Sequence, residues 1–212
     1  MVHIYYHIYA IDGVESIINE QLSLIEKHFD FPYILNVGIS IANDNQSIRY
    51  IIEKFKNVRD IRCCGNEFVT IDLIEIDKQK FGDSDYILYI HTKGASKINN
   101  ESHSNIKSWR ELMNYFNIEK CKNVFNIFDK TEYNTYGVLL GKAGKWKIYS
   151  GNFWWSKASY LKTIKMDGVK KNRFNAEVDY IQNGENWKPY SPYNKEGLNH
   201  YLIDFKREEY AK

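Results

Sequence analysis

Asp85-Tyr86-Ile87-Leu88-Tyr89-Ile90-His91-Thr92-Lys93-Gly94-Ala95-Ser96 is the stretch on which the fold turns. Residues 86–90 form an unbroken aliphatic and aromatic run, the pattern of a strand buried on both faces of a parallel sheet. The run turns polar at His91 and breaks at Gly94. In open α/β sheets, ligands lie beyond the carboxyl ends of such strands. An imidazole, a hydroxyl and an ammonium at that edge, followed by a glycine that lets backbone approach closely, suit a phosphate or a metal. An ordinary solvated turn would use the same residues.

Toward the N-terminus, strand and helix patterns alternate. Residues 3–11 read as a first strand, closed by Asp12-Gly13 with Asp12 as a candidate N-cap. Val14, Ile17, Ile18, Leu22 and Ile25 then mark an amphipathic helix to about Phe29. Residues 33–41 predict a second strand, closed by Asn43-Asp44-Asn45, and Ile48, Ile51, Ile52 and Phe55 share one face of a second helix. A third strand at 58–64 ends at Gly65-Asn66. Phe68, Ile71 and Ile74 predict a short helix to about Gln79, with Asp72, Glu75 and Asp77 on a solvated face. This alternation is that of a parallel βαβ sheet.

Downstream the order changes. Residues 99–105 read as a polar, mobile loop, and 109–128 carry the longest helical pattern, opened by Trp109-Arg110. Strands are expected at 136–140 and 146–150 around a glycine-punctuated turn, helices at 157–164 and 175–182, and a last strand at 201–205. The expectation is an α/β protein with a mostly parallel central sheet flanked by helices, one domain over 1–212.

Composition narrows the partners. With 29 basic and 27 acidic residues in 212 and no like-charge block, neither nucleic acid nor an anionic membrane is indicated. No apolar run approaches the about 18 residues of a membrane span. Cys63, Cys64 and Cys121 have neither disulfide-framework nor zinc spacing, and with no leader-like segment the chain reads as cytoplasmic (host cytoplasm if a virus encodes it). The 17 Tyr and five Trp mostly mean core, but exposed rings also build sugar clefts.

Several residues could carry chemistry. Lys93 can neutralise a diphosphate oxygen, with Thr92 and Gly94 beside it, and neutral His91 can ligate a divalent ion such as Mn²⁺. Asp83 and Asp85 have the spacing of a carboxylate metal clamp but precede the strand, at the far edge, where a turn is the simpler role. His7 and Tyr9 end the first strand, where a base or ribose would sit, although Tyr9 equally suits the core. Gly65, Asn66 and Glu67 close the third, with Glu67 reading a ribose or uracil or simply favouring the next helix's N-terminus. Ser150-Gly151-Asn152-Phe153-Trp154-Trp155 is the second constellation. Adjacent Trp side chains in a strand point opposite ways, which argues against both being core and for a sugar-stacking platform beside the Asn152 amide. A tryptophan-rich corner sealing the core is the alternative. Glu177 and Asp179 lie on different faces of a short helix, and either could serve as a base. Arg110 could pair with a phosphate or with one of these acids.

Together, the His-Ile-Tyr first strand, the buried strand ending His91-Thr92-Lys93-Gly94, the Trp109-Arg110 helix and the Ser150–Trp155 motif followed by an acidic helix resemble small GT-A type glycosyltransferases. They are similar to rhamnan-synthesis-like, capsular-polysaccharide and capsid-glycan enzymes of bacteria and large DNA viruses, over most of the chain to about Tyr180. The resemblance implies a nucleotide-sugar half at 1–96 and an acceptor half at 97–212. It implies a UDP-sugar donor over the first four strands, Mn²⁺ or Mg²⁺ on the diphosphate, and transfer of a hexose or deoxyhexose (glucose or rhamnose type) to a glycan or glycoprotein acceptor. That acceptor would meet Ser150, Gly151, Asn152, Trp154, Trp155 and Arg110. Most GT-A enzymes hold the metal with Asp-x-Asp where this chain has His91-Thr92-Lys93, so His91, Lys93 or the Asp83/Asp85 pair must answer for it. The rival reading is a non-catalytic carbohydrate-binding protein using Trp154 and Trp155. A glycoside hydrolase is disfavoured because Glu177 and Asp179 cannot flank one bond.

Overall fold

The computed structural model describes residues 1–42, 47–63, 65–98, 103–144, 146–195 and 199–211. The first half alternates as its hydrophobic pattern requires: β1 (Val2–Ala10), α1 (Glu15–His28), β2 (Tyr33–Ile41), α2 (Ser47–Lys54), β3 (Val58–Cys63), α3 (Phe68–Asp77) and β4 (Tyr86–His91). β1 pairs in parallel with both β2 and β4, and β2 in parallel with β3. The second half supplies α4 (His103–Asn114), a π turn at Tyr115–Glu119, α5 (Cys121–Lys130), β5 (Thr135–Gly137), β6 (Leu140–Ala143), β7 (Trp146–Tyr149), β8 (Trp154–Lys157), α6 (Ala158–Leu161), α7 (Arg173–Val178), β9 (Pro189–Tyr190) and α8 (Arg207–Tyr210). The central sheet is ordered β3-β2-β1-β4-β8-β5-β9, with β8 antiparallel to both neighbours, and β6 and β7 form a separate ribbon. Strands from both halves therefore share one sheet.

Alternation along the strands sorts the side chains into two cores. Tyr6, Ile8, Leu88, Ile90 and Trp155 face α1, α4 and α5, while Tyr5, Ile87, Tyr89 and Trp154 face α3, α6 and α7. Both faces of the sheet centre are dry. Among the described residues no helix is long and apolar enough to cross a membrane.

Local expectations fail where tertiary contacts intervene. Asp12 does not cap α1, which starts after Val14 without a side-chain cap. Ile52 is 48% exposed although Ile51 and Phe55 are buried, so the apolar face of α2 is narrower than its sequence suggests. Asp77 is buried rather than solvated: Tyr5 Oη donates to it at 2.7 Å and Arg59 pairs with it. The helix expected from Trp109 opens at His103, inside the expected loop, and is interrupted by the π turn. Residues 136–140 divide between β5 and β6 at Leu139, whose φ of 54° turns the chain. Residues 200–202 are a 3₁₀ turn, not a strand, and the helices expected at 157–164 and 175–182 are Ala158–Leu161 and Arg173–Val178. Asn43-Asp44-Asn45, Cys64 and residues 99–102 lie outside the described residues.

Candidate functional site

At the carboxyl edge of β1, β2 and β4 the structure opens a cleft of about 310 Å³. Its walls are His7 and Tyr9 from β1, Ser40 from β2, Gly65-Asn66-Glu67 after β3, and the run His91 to Lys97 after β4. Four chain segments distant in sequence thus converge where a parallel sheet binds ligands. Gly94 is needed there. Its φ is 91°, and a Cβ would stand 2.7 Å from Ile106 Cγ2.

Lys93 is the exceptional group. Its side chain is buried, its Nζ sits 4.0 Å above the Trp109 ring, and among the described residues it makes no ion pair and no side-chain hydrogen bond. Burial lowers its pKa, and the charges of Glu177 and Glu67 act in the opposite direction. A desolvated cation–π contact contributes about 2 kcal/mol, whereas burying an ammonium costs several. The aromatic face alone cannot balance that cost, and the cleft is set up to receive an anion. Its backbone is held from below: Arg110 Nη1 donates to the Lys93 carbonyl at 3.0 Å while its Nε and Nη2 grip Glu20, and Gln21 Nε2 donates to the His91 carbonyl. Arg110 therefore positions the turn instead of meeting a phosphate, Glu177 or Asp179.

The two cleft histidines are neutral for stated reasons. His7 is hydrogen-bonded through both ring nitrogens, to Thr70 Oγ1 at 3.0 Å and Ser40 Oγ at 3.1 Å, and burial lowers its pKa to about 4. His91 has its pKa lowered to about 3, by burial first and Lys93 second. Its Nε2 lies 2.8 Å from the Gly151 carbonyl, so Nε2 carries the proton and Nδ1 keeps a lone pair with no partner among the described residues. Both folded values lie below the ordinary one, so the unfolded chain binds more protons between about pH 6.5 and 4 and stability falls as pH drops through that window. Thermal melts are expected to show a decrease between pH 7 and pH 4.5, and a flat melting temperature would refute the neutral buried pair.

A chain-held divalent ion does not fit these residues. Among the described residues no three His, Cys, Asp or Glu side chains group as a metal site. His91 offers one lone pair, with the Lys93 charge acting directly on it. Asp83 and Asp85, the other candidate ligands, stand at the opposite end of β4, roughly 20 Å of strand away. Asp85 is taken by the N-terminal ammonium, His3 and the Gly82 amide, and Asp83 by Lys162. They are turn residues.

The Trp-Trp platform is also overturned. Trp154 and Trp155 are fully buried, because β8 lies inside a sheet covered on both sides and each ring enters a different core. Asn152 is spent internally, donating to Glu67 Oε2 and the Ala176 carbonyl and accepting from Trp154 Nε1. Gly151 packs against Met113 and Trp109, while Ser150, bonded through Oγ to His200 Nδ1 at 2.7 Å, lies on a second cleft. Glu67 accepts from Tyr89 Oη and Asn152 through Oε2, so its Oε1 has no partner among the described residues. Glu177 lies close enough to act electrostatically on His91, Lys93 and Tyr201. Asp179 does not line the cleft and has a buried Oδ1 without a hydrogen bond among the described residues. Sequence reasoning missed Ser40, Arg173 and Tyr201, all on the cleft wall. Ser40 is the penultimate residue of a parallel strand, at the edge the rule names, but nothing local signals Arg173 or Tyr201.

No protein-family model matches the chain, and no curated protein matches it.

Proposed function

We propose that the chain is a glycosyltransferase that moves a hexose or deoxyhexose from a UDP-sugar to a glycan acceptor. The observation that carries this is the buried Lys93 ammonium, without an ion pair among the described residues, in a cleft at the carboxyl edge of a parallel sheet. Tyr9 and Glu67 would meet the base and ribose, and Lys93, with Arg173 at the rim, the diphosphate. In the transfer, the acceptor oxygen bonds to the anomeric carbon and the carbon–oxygen bond to the β-phosphate breaks. The electron pair leaves on UDP, where Lys93 stabilises the growing negative charge. The acceptor proton passes to a carboxylate, and Glu177 suits this better than Asp179 because its charge acts on the cleft. Because the residues do not fit a chain-held Mn²⁺ or Mg²⁺, no step is routed through one. With the Trp154/Trp155 platform gone, the non-catalytic lectin reading loses its surface.

Calorimetric titration with UDP, first in EDTA and then in Mn²⁺, tests this. Saturable UDP binding in EDTA, changed less than about tenfold by Mn²⁺ (about 1.4 kcal/mol), is expected. Absence of UDP binding under both conditions would overturn the donor site.

A further inference from the structure

Beside the donor cleft lies a larger one of about 860 Å³, walled by Trp109, Leu139, Ser150, Asn199, His200 and the β6–β7 ribbon. Tyr201 lines both clefts, so ligands in the two would be neighbours, and Lys93 Nζ lies over the ring of Trp109, which also lines the second. The second cleft is basic. Lys142, Lys147 and Lys195 line it, and among the described residues no carboxylate does. Lys142 and Lys147 are directly opposed across the antiparallel ribbon, and neither side chain makes an ion pair or hydrogen bond among the described residues. Like charges directly opposite on a sheet are destabilising. Lys195 reaches Glu209 at 3.5 Å and is the one partly neutralised. The whole chain carries a net charge of only +2, so this concentration of positive charge is local.

We propose that this cleft binds the acceptor as an anionic saccharide, with its carboxylate or phosphate between Lys142 and Lys147. The word acceptor rests on the transferase reading; the anion site does not. The other lining groups suit a sugar: the Tyr201 ring, 39% exposed, is an accessible stacking face where Trp154 and Trp155 are not, and Asn194 and Asn199, whose Oδ1 atoms accept from the Leu140 and Tyr201 backbone amides, can donate to sugar hydroxyls through Nδ2. A volume of this size holds a disaccharide-sized ligand.

The test is titration of the full chain with a glucuronic-acid-terminated disaccharide, its neutral glucose-terminated counterpart, and glucose 6-phosphate. The proposal expects at least one anionic sugar to bind ten times more tightly than the neutral one, and the tighter of the two identifies the charged group. In the Lys142→Gln/Lys147→Gln double variant, whose side chains are exposed, that preference is expected to vanish while UDP affinity holds. Equal binding of neutral and anionic sugars, binding of none, or an unchanged preference in the double variant would overturn it. Uronate or sugar-phosphate binding without UDP binding would remove the transferase reading and leave the anion cleft standing; the reverse would remove this cleft alone.

Discussion

Replacing Lys93 by Met is expected to weaken UDP binding about 30-fold or more while raising the melting temperature. The two effects have one origin. Folding takes the Lys93 ammonium out of water and returns a cation–π contact with Trp109 but no ion pair among the described residues. Its folded pKa is lowered, so keeping it charged costs stability at every pH below the ordinary lysine value. Methionine has a similar unbranched length, packs on the same ring and carries no charge to desolvate. A gain of about 1 kcal/mol corresponds to roughly 2–4 °C for a chain of this size. Binding moves the other way. Truncating one partner of a desolvated, charge-assisted contact costs about 2–5 kcal/mol, hence a loss of about 30-fold to several thousand-fold. Calorimetry with UDP and a thermal melt on the same preparation read both. A variant that melts lower and still binds UDP would mean that Lys93 is a structural residue, and the donor site would have to be sought elsewhere.

What the sequence revealed, and what it hid, follows the range of the contacts involved. β2 begins and ends where its apolar run does, and the turn from Ile90 to His91 marked the ligand edge, because a strand buried on both sides writes its environment into consecutive residues. The same edge rule places His7, Glu67 and Lys93 together, and all three line one cleft. Contacts made across the fold left no local trace. Arg110 was placed at a helix start facing ligand, yet it lies inside α4 and reaches back to Glu20 on α1. Asp77 looked solvated until Arg59 from β3 and Tyr5 from β1 closed over it. The three- and four-residue strands β5, β6 and β8 are too short for a periodicity to declare itself, and their pairing decides which face of the sheet is covered.

That last point fixes the largest stability effect. Trp155→Ala is expected to remove about 3–5 kcal/mol from its own lost packing, because its ring fills the core between Phe29 and Phe125 at centroid distances of 6.0 and 5.7 Å. Its Nε1 also donates to the Asn117 carbonyl at 2.9 Å, within the π turn, and truncation removes that bond from a buried site. The total is a large part of the about 5–15 kcal/mol that holds a domain together. A melting temperature lower by about 10 °C, or loss of a cooperative transition, is the expected result. Trp154→Ala should behave alike on the other face and also disturb the cleft that holds Lys93, since Trp154 Nε1 donates to Asn152 Oδ1 and Asn152 in turn donates to Glu67. Comparing the two separates core from platform. Rings that served a glycan would leave the melts unchanged and lose only sugar binding, so normal melting of both variants would return the adjacent tryptophans to the surface. Their complete burial, one in each core of a doubly covered sheet, argues for the opposite result.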